Sequence, residues 1–144
     1  MNIEIITKPL TLEVYGFAGR ASNGNYAQTA FGLMDRMWQI VKSKGLPNKG
    51  LNIWIYEPDE MVFAGVELTA AQNDTGMEHK KLELSKYAYY KHIGPYHLIK
   101  QAVQQMQAEL KARGLAMTLP YVEIYGHHTP DETQAETELL MQLT

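Results

Sequence analysis

The spacing of hydrophobic residues along the chain predicts two helices. In each of two segments, apolar side chains recur every three or four residues, which is typical of one face of an amphipathic helix. The first segment carries Ala27, Ala30, Phe31, Met34, Trp38 and Val41, and the second carries Ile99, Val103, Met106 and Leu110. Gly45 and Gly114 follow them where a helix ends in a left-handed residue, and Pro95 precedes the second where proline is tolerated.

Alternating apolar and polar residues predict strands around each helix. The predicted strands span residues 10–19, 51–56 and 61–68 in the first half, and 82–93, 120–126 and 136–143 in the second. Each half therefore has the order strand, helix, strand, strand. The polar, glycine-containing stretch 69–81 is predicted to be a linker.

The two halves are related by a repeat at an offset of 69 residues. The residues that match in type are Lys42, Lys44, Gly45, Leu46, Ile55 and Tyr56 with Lys111, Arg113, Gly114, Leu115, Ile124 and Tyr125. This repeat predicts an α+β fold, with duplicated strand-helix-strand-strand units spanning about 1–68 and 82–144. We expect one domain, 1–144, with an antiparallel sheet and pseudo-twofold symmetry.

Alternation within the central strands separates two kinds of sheet face. One face carries the aliphatic residues Leu51, Ile53, Ile55, Val122 and Ile124, and the other carries Asn52, Trp54, Tyr56, Tyr121, Glu123 and Tyr125. We expect both helices to cover the aliphatic face and the aromatic face to line a ligand cleft on the other side. Trp54 and Glu123 occupy equivalent repeat positions, so the symmetry is broken there.

Composition narrows the classes of function. The chain has 144 residues, of which 45% are hydrophobic, enough for one domain with a core. A net charge of −3 gives no electrostatic case for direct nucleic-acid binding. The chain has no cysteine, no visible signal peptide and no apolar stretch of the ~18 residues that a membrane span needs. We expect a cytoplasmic protein without membrane attachment.

Glu123, between Tyr121 and Tyr125, has two interpretations. It is either a solvated residue on an exposed sheet face or a carboxylate inside a cleft. In a cleft, its charge would attract cations, and each aromatic ring would add about 0.5–2 kcal/mol of cation–π attraction. The same carboxylate could instead serve as a general acid or base.

The aromatic residues near this strand are candidate walls of the cleft. They are Trp54, Tyr56, Tyr87, Tyr89, Tyr121 and Tyr125. Each alone is as consistent with core packing as with ligand contact, but as a set they favour a pocket. Trp38 belongs either to the core or to the cleft edge. A second apolar row on the first helix, formed by Leu33, Met37 and Ile40, is either incidental exposed surface or part of a dimer contact or the cleft edge.

No cofactor or metal site is predicted. His127 and His128, followed by Asp131 and Glu132, do not have the spacing of a known ligand set, and the segment is typical of a solvated loop. The sequence Gly94-Pro95-Tyr96 is a turn into the second helix and lacks the glycine density of a phosphate loop.

The second half carries motifs of a known family. The stretch "KYAYYKHIGPYHLI", 86–99, contains Tyr87-Ala88 and Gly94-Pro95-Tyr96, and Gly114 and the run from Pro120 through Glu123 to Tyr125 follow in order. This order resembles the GyrI-like small-molecule-binding domain, which is also the effector-binding part of AraC-type and multidrug-responsive transcription regulators.

The resemblance implies a duplicated fold with a central cleft, in which related regulators use the glutamate that matches Glu123, together with aromatic rings, to hold lipophilic cations. Those regulators also carry a helix-turn-helix domain, for which this chain has no residues. We therefore expect a stand-alone domain that binds a small lipophilic, cationic molecule.

Two further functions stay open from the resemblance. Some stand-alone relatives are hydrolases of strained cyclopropane-containing compounds, which here would use Glu123 and Tyr125. Others inhibit DNA gyrase, so gyrase or a regulator is an alternative protein partner. The sequence leaves the ligand and the oligomeric state open.

Overall fold

The computed structural model describes all residues, 1–144, and shows ten regular elements. They are β1 (Glu4–Ile6), β2 (Leu10–Arg20), α1 (Tyr26–Lys44), β3 (Asn48–Glu57), β4 (Met61–Leu68), β5 (Glu78–Leu84), β6 (Tyr87–Ile93), α2 (Ile99–Ala112), β7 (Met117–Tyr125) and β8 (Glu136–Leu143). Short 3-10 turns precede α1, α2 and β8. The predicted α+β class is confirmed.

All eight strands join one antiparallel sheet in the order β1-β6-β8-β7-β3-β4-β2-β5. The two halves of the chain contribute equivalent strands, β1 and β5, β2 and β6, β3 and β7, and β4 and β8. Exchanging the members of each pair gives the same strand order read from the other edge of the sheet. The segments 51–56 and 120–125 lie in β3 and β7, each of which follows a helix, as the repeat requires. The first strand of each half pairs with the other half, β1 with β6 and β5 with β2.

Residues 82–93 form parts of two strands, not the single strand that was predicted. The chain turns at Ser85 and Lys86, and β5 and β6 lie near opposite edges of the sheet. The predicted linker is also too long, because Glu78–Lys81 already pair with β2. Local polarity indicated a loop there, but an edge strand tolerates charged side chains, which help keep it from pairing with other chains.

Both helices pack against the aromatic face of the sheet, so the predicted assignment of the faces was wrong. Ala30 of α1 packs against Trp54, and Met106 of α2 belongs to the same buried cluster as Tyr121. Because the register places Trp54 opposite Glu123 and Tyr56 opposite Tyr121, these side chains share one face across β3 and β7.

The aliphatic face is buried without a helix. Ile53, Ile55 and Val122 belong to a cluster whose members all come from strands, including Val14 and Leu84, which are fully buried. Side chains from other strands of the same sheet therefore cover this face. Since its apolar surface is already removed from water, the helices are free to lie on the other side.

The residues of α1 that face the sheet are not all members of the predicted apolar stripe, which contained Phe31 but not Met37. Met37 is fully buried and packs with Val41 against Phe17 and Val66. Met37 is therefore a core residue, whereas Phe31 is 52% exposed. Gly45 ends α1 with a left-handed φ of 61°, as predicted.

Candidate functional site

A cavity of about 1000 Å³ lies between the two helices, above the central strands. It exists because α1 packs over β2 and β4, while α2 packs on the other half of the sheet. The middle pair, β3 and β7, forms the floor of the gap between them. The cleft is thus on the helix side of the sheet, not on the side opposite the helices as the sequence suggested.

The floor side chains are set by the pairing of β3 with β7. Trp54 lies directly opposite Glu123, and Tyr56 lies directly opposite Tyr121. The 69-residue repeat relates Trp54 to Glu123, and the register pairs the same two residues. The two halves therefore differ in side chain, tryptophan in one and glutamate in the other, at the place where they meet. As a result, the cavity has one carboxylate instead of two.

The Glu123 carboxylate is buried, with 5% of the residue exposed, and it accepts hydrogen bonds from three tyrosines. Tyr56 and Tyr125 donate to Oε1 at 2.8 and 2.5 Å, and Tyr121 donates to Oε2 at 2.7 Å. No lysine, arginine or histidine forms an ion pair with it. The phenols satisfy the carboxylate as a hydrogen-bond acceptor but leave its charge without a counterion.

Burial raises the pKa of the Tyr56, Tyr121 and Tyr125 phenols well above their usual range, and the nearby Glu123 carboxylate raises it further. Ionising any of these phenols would place a second negative charge beside the first in a poorly solvated site. The three hydroxyl groups therefore remain protonated at neutral pH and keep donating to Glu123.

Aromatic rings surround the carboxylate. Trp54 packs against Tyr125 with ring centroids 4.9 Å apart, and Phe31 of α1 meets Trp54 edge-on at 5.1 Å. Tyr96, in the turn before α2, lies 5.8 Å from Tyr125. Phe31 and Tyr96 are about half exposed, at 52% and 48%, so they form an aromatic rim around the buried floor.

A family profile for the GyrI-like small molecule binding domain matches residues 1–144. The chain belongs to the GyrI-like family. No curated protein matches it in sequence.

Solved structures with the same fold include relatives of several descriptions. SAV2435 bound to tetraphenylphosphonium has a TM-score of 0.67 at 19% identity, covering 100% of this chain and 94% of that one. The EcmrR C-terminal domain has a TM-score of 0.73 at 16% identity, and the match covers 100% of this chain and 99% of that one. A hydrolase from Listeria innocua has a TM-score of 0.62 at 14% identity, and the match covers 99% of this chain and 91% of that one. At these identities the likeness is one of fold.

Five of the residues predicted from sequence meet in the cavity of this GyrI-like domain. They are Trp54, Tyr56, Tyr121, Glu123 and Tyr125. The interpretation of Glu123 as a solvated surface residue does not hold, because it is buried among its tyrosine neighbours. Alternation in β3 and β7 was sufficient to place these side chains on one face.

Tyr87 and Tyr89 do not line the cavity, which corrects the expectation that they form its walls. Both pack with the aliphatic cluster on the opposite face of the sheet. The register explains this, since Tyr89 pairs with Leu140 and Leu140 pairs with Val122 of the aliphatic face. The next residue after each of them, Ala88 and Tyr90, packs in the cluster of α2 on the other face instead.

Trp38 lies behind the wall of the cavity. It packs against the core cluster of Phe17, Met37, Val41 and Val66. Its indole Nε1 donates a hydrogen bond of 2.6 Å to Asn52 Oδ1. Asn52 lines the cavity. Trp38 therefore holds a cavity side chain in place.

The rim residues were missed as site residues. Phe31 belonged to the predicted helix stripe and Tyr96 to the predicted turn, so both were assigned to structure. The repeat does not mark them, since it relates Phe31 to Lys100 and Tyr96 to Ala27. The signal that could have found them is an aromatic residue near the start of each helix, which lies above the central strands once both helices share the aromatic face.

Neither a metal cluster nor a membrane helix is present. No group of three or more His, Asp or Glu residues is arranged to hold a metal ion. Neither helix combines the length and apolar character needed to cross a membrane.

Proposed function

We propose that this GyrI-like domain binds small lipophilic cations, with Glu123 as the group that attracts the positive charge. The observation that carries the proposal is a buried carboxylate with no basic partner inside an aromatic cavity. The carboxylate is hydrogen-bonded only to phenols, so an entering cation can be attracted to it without first displacing a lysine or arginine.

The size and lining of the cavity fit such a ligand. About 1000 Å³ is at the upper end of the usual range for small-molecule pockets. Trp54 and Tyr125, with the rim rings Phe31 and Tyr96, offer π faces and edges close to the carboxylate. The relative SAV2435 holds tetraphenylphosphonium, a lipophilic cation, which supports the same ligand class here.

A pair of ions of equal shape and opposite charge tests the proposal. Tetraphenylphosphonium should raise the melting temperature, since a ligand at about a hundredfold excess over its Kd stabilises the native state by about 2.7 kcal/mol. Tetraphenylborate at the same concentration should give little or no shift, because Glu123 repels it. Equal shifts with both ions would show that the cavity recognises shape alone and would contradict the proposal.

A hydrolase is the second candidate, because the carboxylate is hydrogen-bonded to a phenol. Glu123 could accept a proton from water as the water oxygen bonds to a ring carbon, while the Tyr125 phenol gives its proton to the carbon released when the ring C–C bond breaks. The proton on Glu123 could then return to Tyr125 across their hydrogen bond. A solved relative with this fold is described as a hydrolase. The test is to incubate the protein with a cyclopropane-containing electrophile and to detect the hydrated product by mass spectrometry. Product formation by wild type that is lost in Glu123→Gln would favour this function. Absence of turnover across strained electrophiles would count against it.

We also propose that the domain itself makes no direct contact with nucleic acid. Four strands separate α1 from α2 in the chain, so the two helices do not form a helix-turn-helix unit. The net charge of −3 adds no attraction for phosphate.

A further inference from the structure

The cavity holds a second charge that cation binding does not explain. Apart from its tyrosines, the lining contains one acidic residue, Glu123, one lysine, Lys100, and one histidine, His128. Lys100 is the second residue of α2 and is exposed, whereas Glu123 is buried on the floor. The cavity is therefore negative at its base and positive on one side of its mouth.

Lys100 has no acidic partner within the protein. It forms no salt bridge and no side-chain hydrogen bond. The residues one helical turn further along α2 are Val103 and Gln104, which carry no negative charge. Its ammonium group is thus available to a group that enters the cavity.

Helix stability does not account for a lysine at this position. The first turn of a helix favours acidic side chains, and a cation there is opposed by the helix dipole. The first turn of α2 contains no acidic residue that would compensate. The 69-residue repeat relates Lys100 to Phe31, so equivalent positions of the two helices give the mouth an aromatic ring on one side and a cation on the other.

We propose that the cavity takes amphoteric ligands, in which a lipophilic cationic body lies near Glu123 and an anionic group meets Lys100 at the mouth. The inference rests on the proposed cation-binding function and narrows its ligand class. A purely cationic ligand leaves Lys100 unused and is repelled by it, whereas a ligand with a carboxylate, sulfonate or phosphate on the outward side satisfies both charges.

Two fluorescent dyes that differ by one methyl ester test this division. Rhodamine 110 carries a cationic xanthylium and a free carboxylate, while rhodamine 123 carries the same cation with that carboxylate esterified. Anisotropy titrations at low salt would use wild type, Lys100→Met, and Lys111→Met as the matched control, since Lys111 is exposed on the same helix and does not line the cavity.

The expected result is a selective loss. Lys100→Met should weaken the binding of rhodamine 110 roughly threefold to fivefold, the range of a partly exposed ion pair. It should leave the affinity for rhodamine 123 unchanged or slightly higher. The loss should shrink at high salt, because exposed charges are screened. Lys111→Met should bind both dyes like wild type.

The outcomes separate this inference from the proposed function. If Glu123→Gln weakens both dyes but Lys100→Met changes their affinities equally or not at all, the amphoteric class is wrong and cation binding stands. If neither dye binds to the wild-type protein while tetraphenylphosphonium does, the amphoteric class is wrong and cation binding stands. If Glu123→Gln leaves the affinities for both dyes and for tetraphenylphosphonium unchanged, both claims fail.

Discussion

Glu123 shows how a strand can hold a charge inside a cavity. Alternation places it beside Tyr121 and Tyr125 on its own strand, and register brings Tyr56 from the neighbouring strand. A carboxylate has room for about four hydrogen bonds, and three are filled by phenols. The cost of burying the group is thereby reduced without a basic residue that would neutralise the site.

The raised pKa values of these tyrosines predict a loss of stability in alkaline solution. In the folded protein, burial and Glu123 hold the pKa of Tyr121 far above the value of about 10 that it has in the unfolded chain. Below pH 10 both states keep the proton, so the stabilisation is fully present. As the pH rises beyond 10, only the unfolded chain releases the proton, and the free energy of unfolding falls.

Tyr121→Phe isolates this contribution, because phenylalanine cannot ionise. Urea unfolding should measure the free energy of unfolding of both proteins at pH 8 and pH 11. Between these pH values it should fall by about 1.4 kcal/mol less in the variant than in wild type, the value of one proton over one pH unit. Parallel decreases in the two proteins would mean that Tyr121 ionises as easily in the native state as in the unfolded chain.

Among the secondary-structure elements, β2 and β4 approach each other through glycine. Gly16 and Gly65 are directly paired, and a Cβ added at Gly65 would lie 2.5 Å from the Tyr15 carbonyl oxygen. Such a contact cannot form without moving backbone. Gly32, by contrast, lies in the exposed part of α1, and a Cβ there meets nothing within 4 Å.

Alanine at these two glycines should therefore have opposite effects on stability. Gly65→Ala should destabilise by about 1–3 kcal/mol, the usual cost of overpacking. Gly32→Ala should stabilise by about 0.5–1 kcal/mol, because alanine favours the helix. Chemical denaturation of both variants measures this, and a Gly65→Ala protein as stable as wild type would show that the β2–β4 contact is less close than described.

How far the sequence predicts each element depends on where its partners lie. Helix α1 and strands β3 and β7 were predictable because their patterns are local. The β5 strand was not, since its charged first residues become a strand only by pairing with β2, more than 60 residues earlier. Tyr87 and Tyr89 were misplaced for a related reason, because the pattern showed aromatic residues but not which face of β6 they occupy.

For the whole molecule, the repeat predicted a duplicated strand-helix-strand-strand order, and the structure has two strands rather than one before each helix. Composition could not tell which sheet face the helices cover. An aliphatic face normally needs a helix to exclude water, and here strands of the same sheet exclude it instead. That single difference moves the cleft to the helix side and adds Phe31 and Tyr96 to its rim. The chemistry of the floor was unaffected, because Trp54 and Glu123 face each other in either arrangement.

The central claim is that the charge of Glu123 attracts the ligand, and it predicts a specific result for Glu123→Gln. The fold should be kept, since glutamine can accept from Tyr56 and Tyr125 and can donate to the Tyr121 oxygen. The change removes the charge and leaves the shape of the cavity.

Isothermal titration of tetraphenylphosphonium into wild type and Glu123→Gln tests the claim most directly, with matching unfolding curves as the check on folding. The account predicts that the variant binds more weakly by roughly 1–3 kcal/mol, the scale of a contact to a charged group. Equal Kd values in two equally folded proteins would contradict it, because the carboxylate would then contribute nothing to holding the cation.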